Sequence, residues 1–513
     1  MEIEDWSTIL ETGLYRKGNL IVKAANLLFL VSDNHQRNYT GCYGHPFVQT
    51  PNIDSIAKRG IRFENAYAGS AVCCPARASI ATGQFPHQTN YWDNVKVYDG
   101  KIPSWHHRLR ASGHEVVSIG KLHYIGNDEG DDYGFTESRL AMHIVERKGA
   151  LFGLLRATEK GEEARRTPRD NYKKTGIGES DYVLYDRQIA DEACAWLDDH
   201  KLAGKKPWAL KVSFAAPHPP FIVPQRLMDL YPETDMPLPP QFAHGLEEAH
   251  PAVQHLIWTH RFEDLATDPF LRKSVAGYCS LITHMDEQIG KILQKLHDLE
   301  LADNTRVVYV SDHGEAVGQH GMFGKSVGYD HSVTVPLVAC GPDIPKGQTI
   351  GDLVSHVDLF PTFLESFAVT PEPEDANLWG SSLWRIAAGK IPARPVFCEY
   401  HAHGSKTGMF MIRRENLKLI YHVGLPAELY DLDCDPHEMR NLADDPVYRE
   451  ICDSLEKELR TIVDPEDANN RAKRDQSTAI KLHGGIAKIL SGGSYGYNPV
   501  PGQEPVMTNF GKP

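Results

Sequence analysis

The chain has 513 residues, 41% hydrophobic and 24% charged, an ordinary balance for a soluble globular protein and enough for one large domain with a satellite. A formal net charge of −14 speaks against a nucleic-acid partner, and no apolar run reaches the roughly 18 residues of a membrane span. Nine scattered cysteines give neither a disulfide framework nor a metal knuckle, and the acidic, mixed stretch 1–19 is unlike an export signal, so the expected location is the cytoplasm.

Four short apolar runs in chain order end in chemistry-bearing residues. Asn26–Val31 leads into Ser32-Asp33-Asn34, and Val116–Ile119 into Gly120-Lys121-Leu122-His123. Trp208–Phe214 leads into Pro217-His218, and Arg306–Val310 into Ser311-Asp312-His313-Gly314. Each reads as a buried strand, and helical patterns such as Tyr185–Leu197 and Leu271–Leu296 lie between them. Strands alternating with helices predict an α/β fold, a large mainly parallel sheet sandwiched by helices. Ligands of such sheets bind beyond the carboxyl ends of the strands, which is where these runs place their polar residues. The ends of the first and last runs supply Asp33, Asn34, Asp312 and His313, a donor set for one divalent cation. Ligand hardness favours calcium, and the imidazole leaves manganese open.

Between the first two runs stands Cys73-Cys74-Pro75-Ala76-Arg77. Pro75 suits the first turn of a helix continuing through Ala81, which puts Cys73 at the helix N-terminus, where free amides and the dipole favour an oxyanion. Further on, Tyr91-Trp92-Asp93-Asn94 has the composition of an Asp-Asn turn. From about Arg394 the pattern changes to short runs joined by turns, including 411–421 and 428–432, which predict a smaller C-terminal antiparallel sheet with a terminal helix near 447–461. The reading divides the chain into 20–393, 394–463 and a C-terminal extension, 464–513. Glycine-rich near Ser491–Gly496, that extension is expected to be an extended tail, either disordered or lying as an arm on this or a neighbouring subunit. The mixed region 141–180 is expected to be an insertion near the pocket entrance.

The C-x-P-x-R string beginning at Cys73, followed by Thr82-Gly83, resembles the signature of the type I sulfatases of the alkaline phosphatase superfamily. The resemblance extends from about Asn26 to Asp445. It includes the stretch Thr50–Tyr67, Gly120-Lys121-Leu122-His123, Pro217-His218-Pro219-Pro220-Phe221, the late Lys325 and the string Leu429–Leu442. It implies that Cys73 is oxidised by a formylglycine-generating enzyme to formylglycine, whose hydrate is the nucleophile. It further implies that Arg77, Lys121 and Lys325 hold the sulfate, that His123 serves the diol and that His218 faces the leaving group. Asn34 stands where many members carry a second aspartate. Asn94, 21 residues past Cys73, matches a substrate-facing asparagine of choline sulfatases and phosphonate monoester hydrolases.

The expected activity is hydrolysis of small alkyl or aryl sulfate monoesters. A phosphonate monoester or phosphodiester hydrolase with the same nucleophile is the alternative, and the Lys121/His123 pair speaks for sulfate. A non-catalytic metal-binding homologue is the third reading. The resemblance also implies a homo-oligomer, a dimer or a tetramer.

Overall fold

The structure is a computed structural model that describes residues 23–126, 131–144, 151–156, 170–200, 206–243, 249–495 and 497–508. Much of the expected insertion, residues 145–150 and 157–169, lies outside them.

Eight strands form one sheet: β1 (Asn26–Ser32), β2 (Ile61–Tyr67), β3 (Glu115–Lys121), β4 (Glu137–Met142), β5 (Trp208–Ser213), β6 (Thr305–Ser311), β7 (Leu337–Cys340) and β8 (Gln348–Ser355). Their order is β8-β2-β7-β6-β1-β5-β3-β4, and β7 alone runs antiparallel to its neighbours. The four runs picked out in the sequence are the contiguous parallel block β6-β1-β5-β3. Their ends are level: Ser32 pairs with Ser311, Val31 with Ser213, and Gly120 with Ser213. The polar residues that follow therefore emerge along one rim.

Alternation along β1 explains the two helical layers. Leu28 and Leu30 join the core shared with α1 (Pro51–Arg59), α4 (Asp181–His200) and α5 (Asp268–Asp298), through Ile53, Ile189 and Met285. Leu27, Phe29 and Val31 face the opposite core with α3 (Trp105–Ala111) and α6 (Leu359–Ser366), through Trp105 and Phe363. Between these lies α2 (Cys73–Thr82), buried at every position and closed by Gly83 in the left-handed region (φ 69°), whose amide bonds the Ser79 carbonyl.

Four antiparallel strands follow: β9 (Val396–Tyr400), β10 (Met409–Arg414), β11 (Leu417–His422) and β12 (Glu428–Asp431), packed against α7 (Arg449–Ile462). The segment after 464 departs from the expected extended tail. It continues as α8 (Pro465–Leu482) and α9 (Ile486–Gly492). Asp464 accepts from the Asp467 amide and Pro465 opens the helix, a start signal that precedes the glycines. This helix packs on its own chain: Gln476 donates to Asp93 and to the His401 carbonyl, and Asp475 accepts from Trp92 and Lys96.

Candidate active site

Cys73 opens α2 with 2% of its surface exposed, one residue after the extended Val72. Its Sγ lies 3.2 Å from His313 Nε2 and 3.9 Å from Asp33 Oδ1. His313 Nδ1 lies 3.0 Å from the Gly314 carbonyl, which takes the ring N–H, so Nε2 presents a lone pair to the thiol. One turn along α2, Arg77 spans the rim. Its Nε donates to Asp312 Oδ2 (2.8 Å), one Nη to Asp33 Oδ2 (3.1 Å), and the other to Ser213 Oγ and the Lys121 carbonyl (2.9 Å each). The guanidinium thus ties four strand ends together and leaves Oδ1 of both aspartates on the cysteine side.

Lys121 Nζ is 2.8 Å from Asp33 Oδ2 and 5.4 Å from the centre of the Tyr182 ring, and it spends no N–H on a well-directed hydrogen bond. Lys325 donates to Asn34 Oδ1 at 2.9 Å. Asn34 sits in the left-handed region (φ 70°), which asparagine tolerates well, and its side-chain N–H donates to Glu315 Oε2 at 2.6 Å. Glu315 also accepts from the Tyr172 hydroxyl and from the Val317 and Gly324 amides. Its oxygens accept from these four donors, so the Asn34 side-chain N–H faces Glu315 and Oδ1 faces Lys325.

His123 follows β3 at φ 55°, with its backbone tied to the Met142 carbonyl. Among the described residues, neither of its buried ring nitrogens has a partner. Burial, then the Lys121 charge, holds this imidazole well below its ordinary range, so it is a neutral base. His218 turns Nδ1 to the Pro219 carbonyl at 2.7 Å, which directs Nε2 away from the backbone, and its ring packs edge-on against Tyr182. Burial and the Lys325 and Lys121 charges lower it too. Burial alone would raise Asp33, but Lys121 and Arg77 hold it well below the usual carboxylate range; burial and the Asp33 charge push Asp312 up to about 6.

Cys73, Arg77, Asp33, Lys121, Asp312 and His313 are therefore linked side chain to side chain, the Asn34–Lys325 pair joins them through the Asn34 backbone amide, which donates to Asp312 Oδ1 at 3.2 Å, and His123 and His218 stand within electrostatic reach of Asp33 and Lys121. Asn94 is joined to the centre through α2, where its side-chain oxygen accepts from the Cys74 amide at 3.2 Å. Asp93 makes the expected turn, accepting from the Val95 and Lys96 amides.

Sequence reasoning missed Glu315 and Asp186. Asp186, buried in α4, accepts from the Ala215 and Ala216 amides at 2.7 and 2.9 Å and so holds the loop that carries His218. A signal existed: Asp186 stands on the buried face of its helix between Tyr182 and Ile189.

Whether the rim suits a divalent cation can be judged from its donors. Asp33, Asp312, His313 and Cys73 bring one ligand atom each to within 4.8 Å of one another. The imidazole is in the tautomer a metal needs, each carboxylate keeps an oxygen clear of Arg77, and the Asn34 oxygen stands on the adjoining strand end. The set fits an oxygen-preferring or borderline ion.

Cations facing a pair of aspartates around a nucleophile at a buried helix N-terminus define a hydrolase for anionic esters, the charge on such an ester being what these groups would hold. Residues 25–369 match the Sulfatase family and residues 318–464 match N-sulphoglucosamine sulphohydrolase, C-terminal. The chain belongs to the sulfatase family and is a sulfuric ester hydrolase. It is 31% identical over 411 residues to a choline-sulfatase of Rhizobium meliloti (strain 1021), covering 78% of each protein. It is 29% identical over 464 residues to arylsulfatase K of Gallus gallus, covering 85% of this chain and 82% of that one. The phosphonate monoester hydrolase of Agrobacterium radiobacter shares the fold, with a TM-score of 0.68 over 85% of this chain and 95% of that one at 24% identity.

Proposed function

We propose that the enzyme hydrolyses small alkyl or aryl sulfate monoesters with a formylglycine hydrate made from Cys73. The observation that carries this is the position of Cys73 itself: at a helix N-terminus, facing His313 and Asp33, with Arg77 one turn behind. A divalent cation bound by Asp33, Asn34, Asp312 and His313, calcium before manganese, would supply positive charge for the nucleophile and the sulfate oxygens.

One diol oxygen of residue 73 gives its proton to Asp33, whose Oδ1 lies 3.9 Å from Cys73 Sγ, and attacks sulfur, and the bond from sulfur to the ester oxygen breaks. Arg77, Lys121 and Lys325 face the sulfate oxygens, and Asn94 the substrate from the turn beside α2. His218 Nε2 delivers a proton to the departing alkoxide; the incoming sulfate offsets the lysine charges that, after burial, keep this imidazole neutral. His123 then takes the proton of the remaining hydroxyl, the carbon–oxygen bond to sulfate breaks, sulfate leaves and the aldehyde returns, to be rehydrated by water.

The reading includes maturation by a formylglycine-generating enzyme, a cytoplasmic location and a homo-oligomeric assembly. The decisive measurement compares kcat/KM for an aryl sulfate and a phosphonate monoester with the same leaving group. Sulfate should win, and His123→Ala should accumulate a covalent sulfate adduct at residue 73, seen by peptide mass spectrometry. Preference for the phosphonate with an indifferent His123→Ala variant would assign the enzyme to phosphonate monoesters instead.

A further inference from the structure

A second group of metal-type donors lies away from the rim, where the segment 249–260 meets the C-terminal sheet. His250 precedes the helix Pro251–His260, His422 ends β11, and Glu428 begins β12. Their rings and carboxylate converge: His422 Nε2 is 2.9 Å and His250 Nδ1 3.8 Å from the same oxygen, Glu428 Oε1, and the two rings stack 4.3 Å apart. The three ligand atoms all lie within 4.8 Å of one another.

Three features distinguish this group from an ordinary ion pair. First, Glu428 is 2% exposed, and among the described residues its side-chain ion-pair partners are the two imidazoles, with no lysine or arginine. Second, His250 Nε2 lies 3.0 Å from the Pro426 carbonyl and carries the ring proton there, so Nδ1, 3.8 Å from Glu428 Oε1, is the unprotonated nitrogen. The Ala252 amide donates to Nδ1 at 3.2 Å and caps the helix, so an ion at Nδ1 takes the place of that contact. Third, the outer contacts are those that orient metal ligands. A backbone carbonyl holds the far nitrogen of His250, and the hydroxyls of Tyr329 (2.5 Å) and Tyr430 (2.8 Å) hold the far oxygen of Glu428, leaving Oε1 for the cluster.

We propose that His250, His422 and Glu428 form a second, structural metal site. Two imidazoles and one carboxylate favour zinc over calcium, with a water completing the tetrahedron. The ion displaces the His422 proton and the Ala252 contact, and it pins the segment that precedes the helix Pro251–His260 to two strands of the C-terminal sheet. The site needs neither Cys73 nor a substrate, so it stands apart from the reading of the rim.

The test is a zinc count by elemental analysis on full-length protein that has been stripped with chelator, equilibrated with zinc and desalted. Wild type should carry one zinc more than Glu428→Gln. Asp312→Asn should keep that zinc, and the double variant should lose it. Tyr430→Phe, which removes only an outer hydroxyl, should weaken zinc binding by about 10–100-fold. Zinc should also raise the melting temperature of Asp312→Asn and leave that of the double variant unchanged. Should Glu428→Gln fail to fold, His250→Ala in the Asp312→Asn background takes its place. A zinc count that Glu428→Gln or His250→Ala leaves equal to wild type, or an Asp312→Asn protein that binds no zinc, overturns the proposal; the second result would show a His422–Glu428 proton pair only.

Discussion

Two buried carboxylate centres of this chain use the same side-chain types to opposite ends. Glu399, in β9, is bracketed: His87 presents its amide and Nδ1 to Oε1, and His401 presents Nε2 to Oε2, all at 2.8 Å. Burial would raise this carboxyl, but the two histidines bring it down to about 2. Around Asp33 and Asp312, by contrast, Lys121 keeps its donors and, among the described residues, the buried nitrogens of His123 have no partner. A buried polar group without a partner costs about 1–3 kcal/mol, and among the described residues the rim has three such atoms on Lys121 and His123, where the bracket has His401 Nδ1. The rim is arranged for a molecule that arrives after folding, whereas both carboxylate oxygens of Glu399 are matched at folding.

The sharpest way to break this comparison is to remove the cysteine that faces Asp33 and His313. Cys73→Ala should lower turnover by at least about 10⁴-fold, while its neighbour Cys74→Ala should stay within a few-fold of wild type. In protein from a host with a formylglycine-generating enzyme, peptide mass spectrometry should find aldehyde in place of thiol at position 73. A fully active preparation that carries only thiol there would refute the mechanism.

His218→Ala comes next, with a loss of about 10²–10⁴-fold for alkyl sulfates, whose alkoxide needs a proton, and a much smaller one for nitrophenyl sulfate. Equal losses for both would take the leaving group away from His218. Asp186→Asn tests the support behind it. An amide offers one acceptor where the carboxylate offers two, so the loop shifts, and an alkyl sulfate should lose about 10–100-fold, again more than a nitrophenyl ester. Because Asp186 acts through His218, adding Asp186→Asn to His218→Ala should bring little further loss.

What was legible in the sequence follows the same division. The block β6-β1-β5-β3 was readable because strands buried on both faces appear as unbroken apolar runs, and a polar residue directly after such a run stands on the rim. Asp33, Lys121, His218 and Asp312 were found in this way, and the C-x-P-x-R string located Cys73 and Arg77. Glu315 and Asp186 were not, since each acts on another residue's backbone or amide from a separate element, a relation that spacing along the chain does not encode. The tail was misjudged for a different reason. The seven glycines of 464–513 all stand at or beyond Gly484, whereas the helix Pro465–Leu482 depends on Asp464 and Pro465 at its start and on pairs such as Asp467 with Arg471.

The smallest effect on catalysis should come from the bracket, and here the comparison predicts a change in stability. Glu399→Gln keeps the shape but loses the charge, and should cost about 2 kcal/mol near pH 7 while kcat stays within about twofold. The pH dependence has a definite sign. A carboxyl at about 2 in the folded chain, against about 4.3 when unfolded, binds its proton more readily in the unfolded state, so its stabilisation is complete above about pH 5. That stabilisation is lost as pH falls from about 4 toward 2. Chemical denaturation of wild type and Glu399→Gln at pH 7 and at pH 3 should therefore show a gap that narrows in acid. A gap that stays constant, or a variant whose kcat falls as far as its stability, would mean that Glu399 belongs functionally to the rim and that a matched carboxylate does not mark a structural one.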